Sequence, residues 1–530
     1  SRESKANGDV LMKPALDVMN EFCYVLTQME RDGMMIDMDA LDALEVEYEQ
    51  ELHELTETLH TLARTALGDT PFSLTSNEDM SMLIFSRRPH NKKEWAAAFN
   101  LGTEMVNGTR KNKRPFRMKR DELGDKIERL SSIQYKTTAY QCNVCTGTGK
   151  VARKRKDGTW GKPRFNCNRC GSCGVVYEPD YTAIAGFKQR PSTIEHLAAH
   201  GYAANKDRLI ELTQGAKGDA KAFLTHMVRF NAITHYLNSF INGIRNNVGR
   251  DGILHTQFMQ CVTKTGRLSS RNPNLHNMPR GGTFPIRKVV ISRWEGGSIT
   301  DADYSQLEFR VAAALAHDKQ ALKDITDGID VHQRTASVLT EAGQTTSRQD
   351  AKSHTFKPLY GGTSGTRAEQ EYYKWFGSRY TGISGWHKKI LSLAVAYKRL
   401  TLPSGRPYSF PWAKMGGGGN VVGATKIKNY PVQGFATGDI VPVAAINVFN
   451  LMKEQGLMSK MINEVHDSIV VDTYPGEELS VSECLRDGML SVIDDCNTRF
   501  DFKFTVPLAV EIKSGTNWML MDTVMEASTQ

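Results

Sequence analysis

Residues 298–318, SITDADYSQLEFRVAAALAHD, hold the pattern that decides the fold. A short strand carries Asp303 to its end, and the chain then turns into a helix that starts after Ser305. A carboxylate at a strand end is held rigidly yet faces solvent, which suits a magnesium ligand. Taken alone, such an acid is more simply a helix cap. A second acid changes that reading. In MINEVHDSIVVD, residues 461–472, two apolar strand-like runs flank His466 and Asp467, the pattern of a hairpin whose turn presents an acid. Two carboxylates brought together this way can hold two divalent ions, which stabilise both the attacking and the leaving oxygen of an in-line displacement at phosphorus.

Between the two acids lies RQDAKSHTFKPLYGG, residues 348–362, with Arg348, Lys352, Phe356 and Tyr360 at successive i+4 positions. That spacing puts all four on one helical stripe. Two cations followed by two aromatics fit a ligand with a polyphosphate at one end and a flat base with its sugar at the other. A solvated basic face running into a buried aromatic face is the plainer alternative. Pro358 removes a backbone donor and crowds the carbonyl of His354, so a kink is predicted there.

Outward from this centre, 530 residues exceed a single hydrophobic core, and 40% hydrophobic content is that of a globular enzyme. The charge sum of 67 Lys+Arg against 59 Asp+Glu is +8, and the excess is local. Seven of the eleven residues 110–120 are basic, as are seven of the fifteen residues 150–164, runs that suit a polyanion as well as a solvated surface. No apolar stretch reads as long enough to cross a bilayer, and SRESKANGDV has no signal-peptide core, so a cytoplasmic protein is expected.

Helical spacing runs from Leu16 to His60 with a break at Gly33, and returns from Ser192 to about Arg245. Residues 110–186 are rich in Gly, Lys, Arg and Cys and read as a loop-rich insertion. Strand-like segments at 252–262, 289–291, 298–302, 461–471 and 506–512 alternate with helical stretches at 306–316, 349–359 and 439–454. The expectation is an α+β protein with a mainly antiparallel sheet and large helical attachments.

Five of the nine cysteines fall within 142–173. CNVCTGTGK and CNRCGSCG place Cys142, Cys145, Cys167 and Cys170 as two CxxC knuckles separated by 21 residues, which is zinc-ribbon spacing, with Cys173 as a spare that can replace Cys170. The first knuckle resembles those of a DnaJ-like zinc module. Between the knuckles, KVARKRKDGTWGKPR reads as a basic hairpin with Asp157–Gly158 at its tip. A structural zinc explains the cysteines by itself; the sharper expectation is that the module follows duplex phosphates and raises processivity.

TGRLSSRNPNLHNMP, DADYSQLEFR, the Arg348-Lys352-Phe356-Tyr360 stripe with its following glycines, NYPVQG, VHDSIV and VPLAVEIKSGTNW occur in one order along the chain. In that ordered set the chain resembles a family A DNA polymerase, the bacterial DNA polymerase I type and more particularly a phage member. The resemblance covers nearly everything but the cysteine-rich insertion.

The resemblance implies a right-hand architecture: a tail at 1–15, a helical thumb at 16–250 that includes a zinc-ribbon-like insertion at 140–178, palm segments at 251–320 and 425–530, and fingers at 321–424. It implies primer-template DNA and deoxynucleoside triphosphates as ligands, and two Mg2+ ions held by Asp303 and Asp467 with the backbone carbonyl of Tyr304. Arg348 and Lys352 would contact the triphosphate, Lys352 also protonating the departing pyrophosphate, and His332 in GIDVHQRT would add a contact. Glu308 matches the gate against a 2′-hydroxyl, with Gln306 beside it in the nucleotide site. Phe356 and Tyr360 would pack on sugar and base, Phe at position 356 implying discrimination against nucleotides that lack a 3′-hydroxyl. Arg267, Gln433, Asn429 and His466 match positions that grip the primer end or the minor groove, whose purine N3 and pyrimidine O2 acceptors are common to all pairs.

Ser468 stands where the family usually has Glu, and Asp301, on the same strand face as Asp303, is read as a solvent-facing surface charge. Only about fifteen residues precede LDVMNEFCYVLTQMERDGMMID, so the family's nuclease domains are not expected here, and proofreading, helicase or processivity functions would come from other chains. A single-subunit RNA polymerase is the competing enzyme, opposed by Glu308 and the TGRLSS, NYPVQG and GTNW segments. A non-catalytic DNA-binding replication factor is opposed by the retention of Asp303, Asp467, Arg348 and Lys352 together.

Overall fold

Along Ser298–Tyr304 (β1), Thr300, Ala302 and Tyr304 share one face while Ile299, Asp301 and Asp303 share the other. β1 is the middle strand of a five-stranded antiparallel sheet with Lys460–Val465 (β2), Ser468–Thr473 (β3), Ala509–Gly515 (β4) and Met521–Ser528 (β5), in the order β2-β3-β1-β4-β5. Ala302 pairs with Ile469 on one side and Ile512 on the other. One sheet face is therefore a continuous apolar surface of Ala302, Tyr304, Ile469, Val471, Val510 and Ile512. The structure is a computed structural model; it describes residues 2–529 apart from 107, 108, 157, 192 and 363, and side chains from Met12 onward except that of Thr109.

The chain forms two compact units, residues 1–44 with 239–530, and residues 45–238. In the first, the sheet is joined by helices Leu307–Ala316 (α1), Val331–Glu341 (α2), Arg348–Thr355 (α3), Arg367–Arg379 (α4), Thr381–Tyr397 (α5), Ala424–Gln433 (α6), Val441–Glu454 (α7) and Glu478–Leu490 (α8). α8 packs on β1, β3 and β4, and α7 packs on α8. Tyr304 donates from its hydroxyl to the Met489 carbonyl at 2.6 Å, tying the end of β1 to that helix. Each large apolar side chain buried here contributes about 1.5–3 kcal/mol.

The second unit has its own core around Trp95, Phe99, Tyr202, Phe223 and Leu224. It carries an antiparallel ribbon, Tyr135–Gln141 with Val175–Ile184, from which the cysteine knuckles extend. A smaller ribbon, Lys150–Val151 with Phe165–Asn166, lies between the knuckles. The expected hairpin is present, closed further by a bridge between Lys154 and Trp160; of its tip, Asp157 lies outside the described residues.

Several expectations are corrected. The stripe at 348–360 is not one kinked helix: α3 stops at Thr355. Pro358 has no N–H to give the His354 carbonyl, which accepts instead from Lys357 N at 3.1 Å, and a turn carries the chain to Tyr360. The stretch 110–186 contains a helix, Arg120–Leu130, and the long ribbon, so it is less loop-rich than composition implied. After residue 192 there is one 3-10 turn, Ile194–His196, and α-helix resumes at Lys206, because a short hairpin, Leu197–Ala198 with Gly201–Tyr202, intervenes. The backbone of the segment read as a tail belongs to a helix spanning Arg2–Asp32.

The continuous helix 424–454 is, by length and composition, long and apolar enough to cross a membrane, contrary to the sequence reading. Yet 78% of its most apolar window is buried inside the protein, as a core helix requires. Its central π-helical stretch, Gly434–Ile440, buries Asp439 completely. Arg406 binds Asp439 Oδ1 through Nε at 3.0 Å and Nη2 at 2.8 Å, and the Ser404 hydroxyl donates to Oδ2 at 2.6 Å. Removing one partner of such a pair leaves a buried charge uncompensated. Arg406→Ala is expected to cost about 3–5 kcal/mol, seen as a lower urea midpoint.

Candidate active site

Antiparallel register makes the site. Asp303, near the end of β1, pairs with Ser468, the first residue of β3, so the two-residue turn His466–Asp467 lies directly beside it. Tyr304 N donates to the Asp467 carbonyl at 3.2 Å. Beside the two acids, two residues with side chains hold the left-handed backbone that favours glycine: His466 at φ +65° in the hairpin turn and Gln306 at φ +53° at the start of α1. Such conformations concentrate where surrounding structure dictates them. Here they flank the two acids.

Asp303 and Asp467 interact electrostatically across this short separation, and both carboxyls are held above the usual carboxylate range, chiefly by burial. For Asp303 the charge of Asp467 comes next among the causes, followed by an opposing pull from Arg280. Arg280 Nη1 lies 3.5 Å from Asp303 Oδ2, while Asp303 Oδ1 is buried with no hydrogen-bond partner. Two partly buried carboxylates that repel each other, one with an unpartnered oxygen, form an oxygen donor set that fits a divalent cation.

Further expected residues gather round this pair. Glu308, on α1, is ion-paired with Arg267, whose Nε also donates to Thr437 Oγ1 at 3.2 Å. Thr437 in turn donates to the carbonyl of Gln433 at 2.8 Å. Burial raises the Glu308 carboxyl, the Asp467 charge adds to this, and Arg267 opposes it. His466 is pushed down to about 4 by burial and by Arg267 and Arg280, so its ring is neutral at pH 7. It lies 6.2 Å, centroid to centroid, from His276, which bonds the Glu464 carbonyl at 2.6 Å. Asn429 is half-buried one turn before Gln433 on α6.

The nucleotide-stripe residues form a second cluster. Asp330 caps α2 through the N–H groups of His332 and Gln333, at 2.9 and 3.0 Å, and accepts Arg348 Nε at 2.5 Å. His332 bonds Thr355 Oγ1 at 3.0 Å and sets its ring edge-on to Phe356 at 5.3 Å. Lys352 is exposed, whereas Phe356 and Tyr360 are half-buried against the core. After Tyr360, Gly361 at φ +75° sits under the Lys428 side chain, where a Cβ would come within 2.7 Å of Nζ.

In the second unit the sulfurs of Cys142, Cys145, Cys167 and Cys170 all lie within 4.8 Å of one another. Cys142–Cys167 and Cys145–Cys170 are 3.8 and 3.6 Å apart, matching the roughly 3.8 Å edge of a tetrahedron with 2.3 Å metal–sulfur bonds. Backbone N–H groups of Gly149 and Gly174 donate to Cys145 and Cys170 at 3.3 and 3.2 Å. Cys173 lies outside this group and turns to the carbonyls of Cys170 and Val175, at 2.7 and 3.0 Å.

Three features escaped sequence reasoning. Asp301 is not a solvent-facing charge: its Oδ2 accepts the indole N–H of Trp518 at 2.8 Å and its Oδ1 is buried without a partner. The Arg287 guanidinium stacks 3.9 Å from the Trp518 ring. Glu464 is buried behind the turn, pushed up to about 8 by burial and by Asp467. Strand alternation flagged Asp301, but no local pattern could supply a partner 217 residues away. Trp518→Phe keeps a smaller aromatic ring at this buried position and removes the donor. It should lower stability by about 1–3 kcal/mol in a denaturant titration.

A model of DNA polymerase family A matches residues 187–520. The chain is 28% identical over 350 residues to DNA polymerase I of Chloroflexus aurantiacus, covering 63% of this chain and 36% of that protein. It is 28% identical over 319 residues to the thermostable DNA polymerase I of Thermus aquaticus, covering 57% and 37%. With DNA polymerase I of Pseudomonas aeruginosa it shares 32% identity over 286 residues, covering 51% and 30%. The chain thus spans about a third of the length of the curated relatives it matches. Among solved structures, the POL domain of Pol1 from M. smegmatis, in complex with DNA primer-template and dNTP, aligns with a TM-score of 0.62 at 21% identity, over 94% of this chain and 70% of that one.

Proposed function

The chain belongs to DNA polymerase family A, and from that premise we propose that it extends a primer 3′ end on a DNA template by transferring nucleotides from deoxynucleoside triphosphates. The observation that carries this reading is the convergence of Asp303 and Asp467 at the turn between β2 and β3, two partly buried carboxylates side by side with an unpartnered Asp303 oxygen. With the Tyr304 backbone carbonyl they would hold two Mg2+ ions. When bound, such ions stabilise negative charge on the attacking and leaving oxygens.

The protein's own side chains divide the remaining work. The primer's 3′-hydroxyl gives up its proton to solvent as its oxygen bonds to the α-phosphorus and the bond from that phosphorus to the bridging oxygen breaks. Pyrophosphate departs with a proton supplied by Lys352 Nζ. Arg348 and His332 hold the triphosphate, and Phe356 and Tyr360 pack on sugar and base. Glu308, oriented by Arg267 and with Gln306 beside it, leaves no room for a 2′-hydroxyl. Arg267, Gln433, Asn429 and His466 grip the primer end and the minor groove. A neutral His466 can accept a hydrogen bond there as well as donate one. We assign the reaction to replication of phage DNA in the host cell, alongside separate processivity, helicase or exonuclease chains.

Primer extension with magnesium tests this directly. Asp303→Ala and Asp467→Ala should each lower the rate about 10³-fold or more, the scale for removing a group that stabilises transition-state charge. Retention of full activity by either variant would sink the reading. Glu308→Ala should narrow the preference for deoxyribonucleotides over ribonucleotides.

We further propose one structural zinc ion at Cys142, Cys145, Cys167 and Cys170, the donor set and spacing being those of a closed tetrahedral thiolate site. Elemental analysis should give one zinc per chain in the native protein and in Cys173→Ser, and markedly less in Cys167→Ser. Equal zinc in all three would remove the assignment.

A further inference from the structure

The hairpin between the cysteine knuckles leaves its aromatic rings in solvent. Trp160 is 69% exposed and Phe165 43%, and on the adjoining ribbon Tyr140 and Tyr181 are 52% and 74% exposed. The same unit buries Trp95, Phe99, Tyr202 and Phe223 completely, so it has a core for aromatics and these residues stand outside it. Exposed rings clustered on a small module mark an interaction surface.

The surrounding charge says what the partner is. Seven cations lie in 150–164, and among the described residues none of them forms an ion pair with a carboxylate. The Arg153 guanidinium lies 4.1 Å from the Phe165 ring centroid, while Lys154 is bridged to Trp160 across the ribbon. Cations interleaved with accessible ring faces offer phosphate contacts and stacking platforms together. A duplex, its bases already stacked, uses only the cations; an unpaired strand uses both.

We propose that the hairpin 150–166 binds single-stranded nucleic acid, its phosphates on Arg153, Lys154, Arg155 and Lys162 and its bases stacked on Trp160 and Phe165. This replaces the expected role of following duplex phosphates. The four-cysteine knuckles anchor both ends of the hairpin, so the rings are presented from a fixed base. Binding of this kind needs none of the proposed chemistry at Asp303 and Asp467, so a chain inactivated there would still show it.

The test is a pair of titrations of the full chain by fluorescence anisotropy, one with oligo(dT) of about 15 nucleotides and one with a blunt duplex of equal length. Trp160→Leu/Phe165→Leu should weaken single-strand binding about tenfold or more while leaving duplex binding within about twofold. It should also abolish the part of the tryptophan quenching that accompanies oligo(dT) binding. Lys154→Gln/Arg155→Gln should flatten the dependence of log affinity on log salt for the single strand. Zinc content and primer extension, measured on the same preparations, should match the native protein and so report an intact fold. Equal weakening on single strand and duplex, or no change in either, would overturn the proposal; the second result would favour an acidic protein partner.

Discussion

The constraint on which the rest depends is the pairing of β1 with β3, which brings Asp303 against the turn that carries Asp467. Two carboxylates at such a spacing in a partly desolvated place repel each other, and each disfavours ionisation of its neighbour. A sheet tolerates this only if it is stiff. β1 is central, paired along its length on both sides, and its opposite face is sealed by α8. The unfavourable charge is thus placed where the backbone has least freedom to relieve it, and a cation is the ready source of compensation. Two strained residues, Gln306 and His466, two buried groups near the acids, Glu464 and Arg287, and the half-buried Asp301 belong to the same local arrangement.

Around that fixed point the helical region is organised by caps rather than by apolar packing alone. Asp330 holds the N-terminus of α2 and Arg348 at once, and Thr355 joins His332 to the hydroxyls of Thr335 and Tyr372. Ending α3 at Thr355 leaves Arg348 and Lys352 on the helix and puts Phe356 and Tyr360 on the turn that follows. Cations and rings consequently sit on separate backbone segments, each positioned by its own contacts. That division suits a ligand whose charged and flat portions are joined by a flexible sugar.

The cysteine module shows the opposite solution to stability. Its local core consists of the four cysteines with Val151 and Val176 packed against them, far too little apolar surface to hold a ribbon by burial. A metal held by the four thiols would supply what the missing core does not. The side chains are then free of packing duty, which is why the rings and cations of the hairpin can all face outward.

How much of this was legible depended on the range of the interactions involved. Asp303 and Asp467 stand at strand ends recognisable from local alternation, and the CxxC spacing alone picked out the four cysteines that the structure brings together, because both signals lie within a few residues of chain. Pro358 was rightly seen as disruptive, but whether it bends or ends a helix depends on whether another donor can serve the His354 carbonyl, and Lys357 does. The apolar length of 424–454 is a property of sequence, whereas its burial is set by the helices and sheet packed around it. Asp301 with Trp518, Arg267 with Glu308 and Arg406 with Asp439 are pairings across 217, 41 and 33 residues. The sequence by itself determined which residues are acids, cations, rings and thiols and the local elements that carry them. Only the tertiary structure decided which of them meet and at what degree of burial, because a side chain's partner and its solvation are set by chain segments that no local period encodes.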